Sequence, residues 1–183
     1  DFTSDMHYRV AGTVSGDQNN GNTILTAGDV NVTGTAEFAV SKYDRDLGTI
    51  TDATLNSYAF NLQGGFSVGT EIDMNLAGAI AVVTVNDNAD NAIYTAIKVQ
   101  DANVTASTGT DTFGLDGQLD IDYYHSNSAA DGYDRLDWTN AFEGGVIWNP
   151  GANLPTPANL DIDFTSDMHY RVAGTVSGDP GNG

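Results

Sequence analysis

The sequence predicts an all-β protein, an antiparallel β-sandwich or jelly roll of about ten short strands. Hydrophobic and polar residues alternate with period two along most of the 183 residues, as half-buried strands require. Turn-forming Gly, Asn and Asp segments separate these stretches, and no long amphipathic helical pattern is present. Hydrophobic residues make up 40% of the chain, which is enough for the core of one domain.

Each strand is predicted from the same alternation, in chain order. The opening segment, 1–17, alternates so that its apolar side chains share one face, and a Gly- and Asn-rich linker, 18–29, follows it. The continuous apolar run at 79–85 indicates a central strand covered on both faces, and it forms a predicted hairpin with 93–100. Further predicted elements are strands at 30–40, 50–63, 66–70, 70–78 and 118–125, a helical turn at 135–145, an extended proline-rich connection at 150–160 and a closing strand at 163–179.

The most informative feature is a duplicated segment. DFTSDMHYRVAGTVSGD occupies residues 1–17 and again residues 163–179, so the copies start 162 residues apart, about the length of one domain. The copies diverge after Asp17 and Asp179. Two explanations remain open. The protein is a tandem array of near-identical modules, or one copy has been added to complete the fold or to mimic a neighbour's strand.

Both explanations leave one copy of the strand in excess. A module offers one position in its sheet for this strand, so the other copy is available to the open sheet edge of a neighbour. We predict three parts: 1–17, a donor strand or the last strand of a preceding module; 18–29, a linker; and 30–183, the module, which ends in the second copy. The predicted strand-exchange residues are Phe2, Met6, Tyr8, Val10, Phe164, Met168, Tyr170 and Val172.

The charge balance excludes several classes of partner. Six Lys and Arg face 25 Asp and Glu, a formal net charge of −19, whereas nucleic acid binding needs a cationic surface. No apolar run approaches the roughly 18 residues that a membrane span needs. Disulfides are excluded because the chain has no cysteine. Few Lys residues with abundant Gly, Asn and Asp favour an extracellular or cell-surface protein.

No cofactor is required by any motif, but Ca²⁺ is the cation that this acidic chain would bind. Carboxylates are the hard oxygen ligands that Ca²⁺ prefers, and two loop clusters supply them without matching the EF-hand pattern. Turn chemistry explains acids at these positions equally well, because Asp and Asn tolerate left-handed backbone conformations. The candidate metal ligands are Asp87, Asp90, Asp131, Asp134 and Asp137.

The sequence does not indicate an enzyme. It contains no nucleophile, zinc-ligand or phosphate-binding motif, and its three histidines are scattered. Several aromatic residues lie near acids, a combination that lines sugar-binding faces and also fills sandwich cores. They are Trp138, Trp148, Tyr123, Tyr124 and Tyr133. A glycan is therefore the alternative partner.

The stretch AEFAVSKYDRDLGTITDATL, residues 36–55, resembles a signature of exported bacterial choice-of-anchor domains of the PEP-CTERM type. In that signature an apolar strand leads into a Phe-Asp-Pro-x-Leu-Gly-Thr-Leu stretch and then into another strand. Here Tyr43 replaces the Phe and Arg45 the Pro, while Asp44 and the run 47–50 keep the pattern. The resemblance implies an extracellular β-sandwich with a structural or biofilm-matrix role and brings no catalytic residues.

These observations predict a structural protein of the cell surface. Its modules would join head to tail through the repeated strand, as a self-assembling filament, a sheath or a covalent tandem-repeat fibre, with copies of itself as partners. The alternative is a carbohydrate- or surface-binding β-sandwich module of an adhesin.

Overall fold

A computed structural model of the chain describes residues 5–15, 23–27, 30–48, 50–68, 72–90, 92–108, 111–126, 135–142 and 145–179. Antiparallel β-strands dominate these residues, and they contain no α-helix. The all-β, antiparallel prediction is confirmed. The strands are β1 Met6–Ser15, β2 Thr23–Ala27, β3 Val30–Thr33, β4 Thr35–Asp44, β5 Ala53–Val68, β6 Ile72–Asp87, β7 Ala92–Thr108, β8 Asp111–Ser126 and β9 Tyr170–Asp179, with a 3₁₀ helix at Pro150–Asn153.

The nine strands form one antiparallel sheet in the order β1-β4-β5-β6-β7-β8-β9. From β4 to β8, each strand pairs with the strand that follows it along the chain, as in a meander of hairpins. The predicted hairpin of 79–85 with 93–100 belongs to the β6–β7 ladder. Outside this path, β2 pairs with β3, and β3 pairs with the end of β5. β2 lies within the range 18–29 that the sequence indicated as a linker.

The middle of β6 is buried on both faces, as its apolar run predicts. Ile80 and Val82 point to one face and Ala81 and Val83 to the other, and none of the four is more than 1% exposed. Strands buried on both faces have continuous apolar sequences, because both sets of alternate side chains leave water.

One face of the sheet is covered by the chain between β8 and β9. Trp138, Leu160 and Ile162 from this connection are fully buried, and they pack in one cluster with Leu55 of β5 and Val83 of β6. A hydrogen-bonded turn at 138–140 lies in the range 135–145, where the sequence predicted a helical turn, and an isolated bridge joins Trp148 to Ile162. The sequence predicted an extended connection at 150–160, but Pro150–Asn153 form a 3₁₀ helix, which proline allows in its first turn.

Two glycines allow β3, β4 and β5 to approach closely. Gly34 separates β3 from β4, and Gly64 lies on β5 where its pairing changes from β4 to β3. Both have positive φ, 97° and 157°. A Cβ on Gly64 would overlap the carbonyl oxygen of Thr33, so this position needs glycine for space as well as for conformation.

We expect Gly64→Ala to lower the free energy of unfolding by about 2 kcal/mol or more, because the backbones of β3 and β5 must separate. Gly145→Ala is the matched control. Its φ is also positive, 67°, but no heavy atom lies within 4 Å of the added Cβ. It should cost about 1 kcal/mol. Urea unfolding followed by circular dichroism measures both, and equal costs would contradict the close approach.

Candidate interface at the two edges of the sheet

The two copies of the repeated strand lie at opposite edges of the sheet. β1, from the first copy, pairs with β4 from Met6 to Ser15, and β9, from the second copy, pairs with β8 from Tyr170 to Asp179. Within the part of the chain that the structure describes, each of these strands has one neighbouring strand. Each therefore presents one edge of backbone N–H and C=O groups that no described strand pairs.

β1 and β9 run in the same direction. Six antiparallel steps lead from one to the other, through β4, β5, β6, β7 and β8. Each step reverses the direction of the chain, so an even number of steps restores it.

The two strands also present the same face. Residues paired across an antiparallel ladder lie on one face, and so do residues two apart along a strand. The register can therefore be followed from β1 to β9. It pairs Tyr8 with Lys42, Lys42 with Asn56, Asn56 with Thr84, Thr84 with Thr95, Thr95 with Tyr123, and, two residues along β8, Ile121 with Tyr170. Tyr8 and its equivalent Tyr170 thus share a face.

Equal direction and equal face have one geometric consequence. A strand whose direction and face are fixed has a left and a right edge. β1 pairs with β4 through one of these edges, and β9 pairs with β8 through the other. The edge that β1 leaves open is the edge through which β9 pairs with β8. The edge that β9 leaves open is the edge through which β1 pairs with β4.

The apolar side chains of the two open strands are exposed. Tyr8 is 43% and Val10 53% exposed on β1, and Tyr170 is 74% and Val172 50% exposed on β9. These are four of the five large hydrophobic residues exposed in the described chain. Exposed apolar side chains on an edge strand are typical of sites where another strand adds.

The remaining predicted exchange residues lie elsewhere. The expectation that Met6 shares a face with Tyr8 is wrong, because the register shifts between them: Met6 is opposite Tyr43, whereas Tyr8 is opposite Lys42. Met6 and Met168 pack against the core cluster, and Phe164 belongs to it. Phe2 lies outside the described residues.

The start of the second copy is built into the core of its own module. Phe164 is 1% exposed, and its carbonyl accepts a hydrogen bond from the Trp138 N–H at 2.9 Å. The Asp163 carboxylate pairs with the Lys98 Nζ, also at 2.9 Å, and the Lys98 side chain is only 7% exposed. Burial raises the pKa of Asp163, but the hydrogen bond and charge of Lys98 outweigh it, so this pKa lies below its ordinary value. The segment that leads into β9 is therefore held to its own module by Asp163 and Phe164.

The first copy is held to β4 by polar contacts at its start. The His7 Nε2 contacts the Asp44 carboxylate, and the Asp44 N–H donates to the Asp5 carbonyl at 2.9 Å. The hydrogen bond from His7 holds the pKa of Asp44 below its ordinary value. In the second copy the equivalent His169 contacts Arg135 instead. One sequence thus makes different contacts at the two edges.

The candidate metal ligands do not converge among the described residues. An Asp87 carboxylate oxygen accepts from the N–H groups of Ala89 and Asp90, and the Asp137 carboxylate accepts from Thr139 and Asn140. These are turn contacts, and they lower the pKa of Asp137. No group of three acidic or histidine side chains is found in the described parts. Asp131 and Asp134 lie outside them.

The aromatic residues of the predicted sugar-binding face are in part core residues. Trp138 is fully buried, and Trp148 stacks on Phe142 and donates its indole N–H to the Ser57 hydroxyl at 3.1 Å. Tyr123 and Tyr124 belong to β8, but their side chains lie outside the described structure. Tyr133 lies outside the described residues.

A cleft of about 670 Å³ lies beside the connection between β8 and β9. Its lining includes Tyr94 and the polar residues Arg135, Asp137 and Asn140. The Arg135 Nε is buried and has no hydrogen-bond partner in the described structure. The sequence indicates Asp137 only as a metal ligand and does not indicate Arg135 or Asn140, because isolated polar residues in a connection carry no periodic signal.

Comparisons of the chain with protein-family models, with curated proteins and with solved structures gave no match. Among the described residues, no helix has the length and apolar character needed to cross a membrane.

We expect Asp163→Asn to lower the free energy of unfolding at pH 7 by about 1–2 kcal/mol, because the buried Lys98 loses its counter-charge. This is less than for a fully buried pair, since the Asp163 side chain is 42% exposed. The lowered pKa also fixes the pH dependence. The contribution of Asp163 is complete above about pH 4 and is lost as the pH falls through the lowered pKa.

Chemical denaturation between pH 2 and 7 tests this, with Asp46→Asn, at an exposed position, as the matched control. The difference in free energy of unfolding between Asp163→Asn and the native chain should be largest at pH 7. It should disappear in acid, where Asp163 is protonated in the native chain. A constant difference at every pH would contradict the ion pair as its cause.

Proposed function

We propose that this chain is a structural module of the cell surface that joins head to tail with copies of itself by β-strand complementation. The observation that carries the proposal is the position of two identical strands at opposite edges of one sheet, with equal direction and face. A heterologous contact of this kind leaves a free edge at each end, so it propagates into a filament, sheath or fibre.

The energy for joining comes from the edge strands. Each added backbone hydrogen bond contributes about 0.5–1.5 kcal/mol, and burial of one exposed Tyr or Val side chain contributes about 1.5–3 kcal/mol when it is complete. Tyr170 and Val172 are 74% and 50% exposed, so both have apolar surface to bury against a neighbour. Ordering of the strand opposes this gain less than it would for a free peptide, because β9 is already extended on β8.

Further features support a location outside the cell and a role in a matrix. The strongly acidic composition and the absence of cysteine fit an exported protein that does not rely on disulfides. The strand, turn and strand of residues 36–55 follow the order of the choice-of-anchor signature, with Leu47 and Ile50 bridged and buried in the turn. In this proposal the sheet is part of a sandwich or jelly roll, and Ca²⁺ or other cations offset the charge of −19 between modules.

We expect light scattering after size exclusion to show a ladder of oligomers, and electron microscopy to show filaments, when the chain is concentrated. Association should increase between 10 and 150 mM salt, where the Debye length falls from about 30 Å to about 8 Å and like-charge repulsion weakens. A parallel series with Ca²⁺ and with chelator separates ionic screening from specific Ca²⁺ binding. A monomer under all conditions would contradict self-assembly.

A second candidate function is carbohydrate binding in the cleft beside Tyr94. Its volume is in the range of small-ligand sites, and its lining places the polar residues Arg135, Asp137 and Asn140 beside Tyr94. Convergent polar groups next to an aromatic ring are what a sugar hydroxyl face needs.

A glycan array probed with the monomeric fraction tests this candidate. Arg135→Ala should weaken the affinity for any bound glycan by about tenfold or more, since a charged donor is lost from the site. Arg9→Ala, on exposed β1, should leave it unchanged. Binding that is absent, or equal in both variants, would exclude the cleft as a glycan site.

A further inference from the structure

The geometry of the two edges bears on how one copy of the chain meets the next. If copies simply abutted, with β9 of one beside β1 of the next in a translated sheet, two strands of equal direction would form a parallel pair. Every ladder in the described sheet is antiparallel. A single strand placed between β8 of one copy and β4 of the next would instead be antiparallel to both.

β9 fits the position of β1 residue by residue because its sequence is the same. Its Tyr170 would face Lys42 of the next copy, and its Val172 would face Val40, as Tyr8 and Val10 do within one chain. The five residues from Tyr170 to Gly174 would repeat the pairs that Tyr8 to Gly12 make. These pairs use the edge of β9 that no described strand occupies.

Glycine lets one sequence serve both positions. Gly174 has a φ of 147°, whereas the equivalent Gly12 on β1 has a φ outside the positive range. Taking up the backbone conformation of β1 on the neighbour would change this φ, although the β9–β8 ladder itself passes through Gly174 without a register shift. Glycine makes the change at little cost, since it has no Cβ.

The chain on either side of the second copy favours β9 as the strand that joins. Before β9, Asp163 and Phe164 fix the segment to its own module through Lys98 and Trp138. After β9, the sequence continues as the start of a module does. Asn182-Gly183 repeats Asn20-Gly21, so segments 1–21 and 163–183 differ only at 18–19 and 180–181.

We propose that β9 of one copy replaces β1 of the next on β4, so that one strand is shared by two modules and the sheet continues across the junction. This inference rests on the proposed function and specifies its geometry: β9 is the donor, the β4 edge is the acceptor and the displaced strand is β1. In a covalent tandem array the same strand is the last of one module and the first of the following one.

Identical sequence at the two edges provides a matched pair of variants. Val10→Asp and Val172→Asp make the same chemical change in the same sequence context, at positions of similar exposure. Asp is unfavourable in strands on a scale of about 1 kcal/mol, or about fivefold in an equilibrium constant. Val10→Asp should strengthen association about fivefold, because it weakens the resident strand. Val172→Asp should weaken association by a similar factor, because it weakens the donor.

Sedimentation velocity over a concentration series measures association, after circular dichroism has shown that both variants fold. The reverse pattern would identify β1 as the donor, and equal weakening would indicate abutting edges. Either result overturns the shared strand and leaves self-assembly standing. If the native chain and both variants stay monomeric, self-assembly of separate chains fails, and the shared strand between separate chains fails with it.

A disulfide tests the register directly, since the chain has no cysteine of its own. The double variant Val40→Cys with Val172→Cys should give a ladder of linked chains on a non-reducing gel after refolding at high concentration with oxidised glutathione. Within one chain these positions are five strands apart, about 24 Å along the sheet, so a direct bond joins different chains.

The control pairs Val40→Cys with Thr175→Cys. Thr175 is exposed, and it is equivalent to Thr13, which faces Glu37. A shared strand leaves Thr175 and Val40 on opposite faces, so this variant should not give the ladder. Ladders of equal strength in the two variants, or association without a ladder in the first, would overturn the proposed register.

Discussion

An antiparallel sheet that does not close on itself has two outermost strands, and each leaves one row of backbone donors and acceptors without a strand partner. This constraint governs the molecule, because the same sequence occupies both ends of the strand order from β1 to β9; off this order, β2 has β3 as its one described neighbour. Many proteins protect such edges with charged residues, bulges or covering loops. Here β1 carries one register shift, at its start, while Tyr8, Val10, Tyr170 and Val172 remain exposed. The edges combine apolar exposure with mutual complementarity, which is what association through strands requires.

The second copy of the repeat is divided between two physical roles. Its first residues belong to the core, where Phe164 is buried and Asp163 compensates the charge of Lys98 inside the sheet. Its last ten residues form β9 on the open edge. Because Phe164 and then Met168 pack against the core shortly before the strand begins, packing as well as the ladder with β8 holds β9 in position. This division gives a reason for the repeat to include Asp1 and Phe2 as well as the strand itself.

The charge of the chain sets conditions on any association. A net charge of −19 keeps copies apart by long-range repulsion, and this repulsion is strongest at low ionic strength. A backbone ladder acts only at contact and is insensitive to net charge. The repulsion disfavours contacts between polar surfaces, which gain little energy. It therefore favours the edge-to-edge contact, in which many backbone hydrogen bonds form at once. The described acids at Asp87 and Asp137 stabilise turns, and these contacts do not by themselves provide a cation site.

The sequence by itself determined the class of the fold, the hairpin around 79–100 and the double burial of Ile80 to Val83, because period-two alternation and continuous apolar runs are local signals. It also showed the repeat, which is a matter of identity between residues. It could not show that Met6 turns away from Tyr8, that Lys98 pairs with Asp163, or that Arg135 lines a cleft beside Tyr94. It could not place the two copies at opposite edges either. Strand order is decided by which backbones pair, and every residue except proline offers the same backbone groups. Only tertiary packing therefore chose among the possible partners.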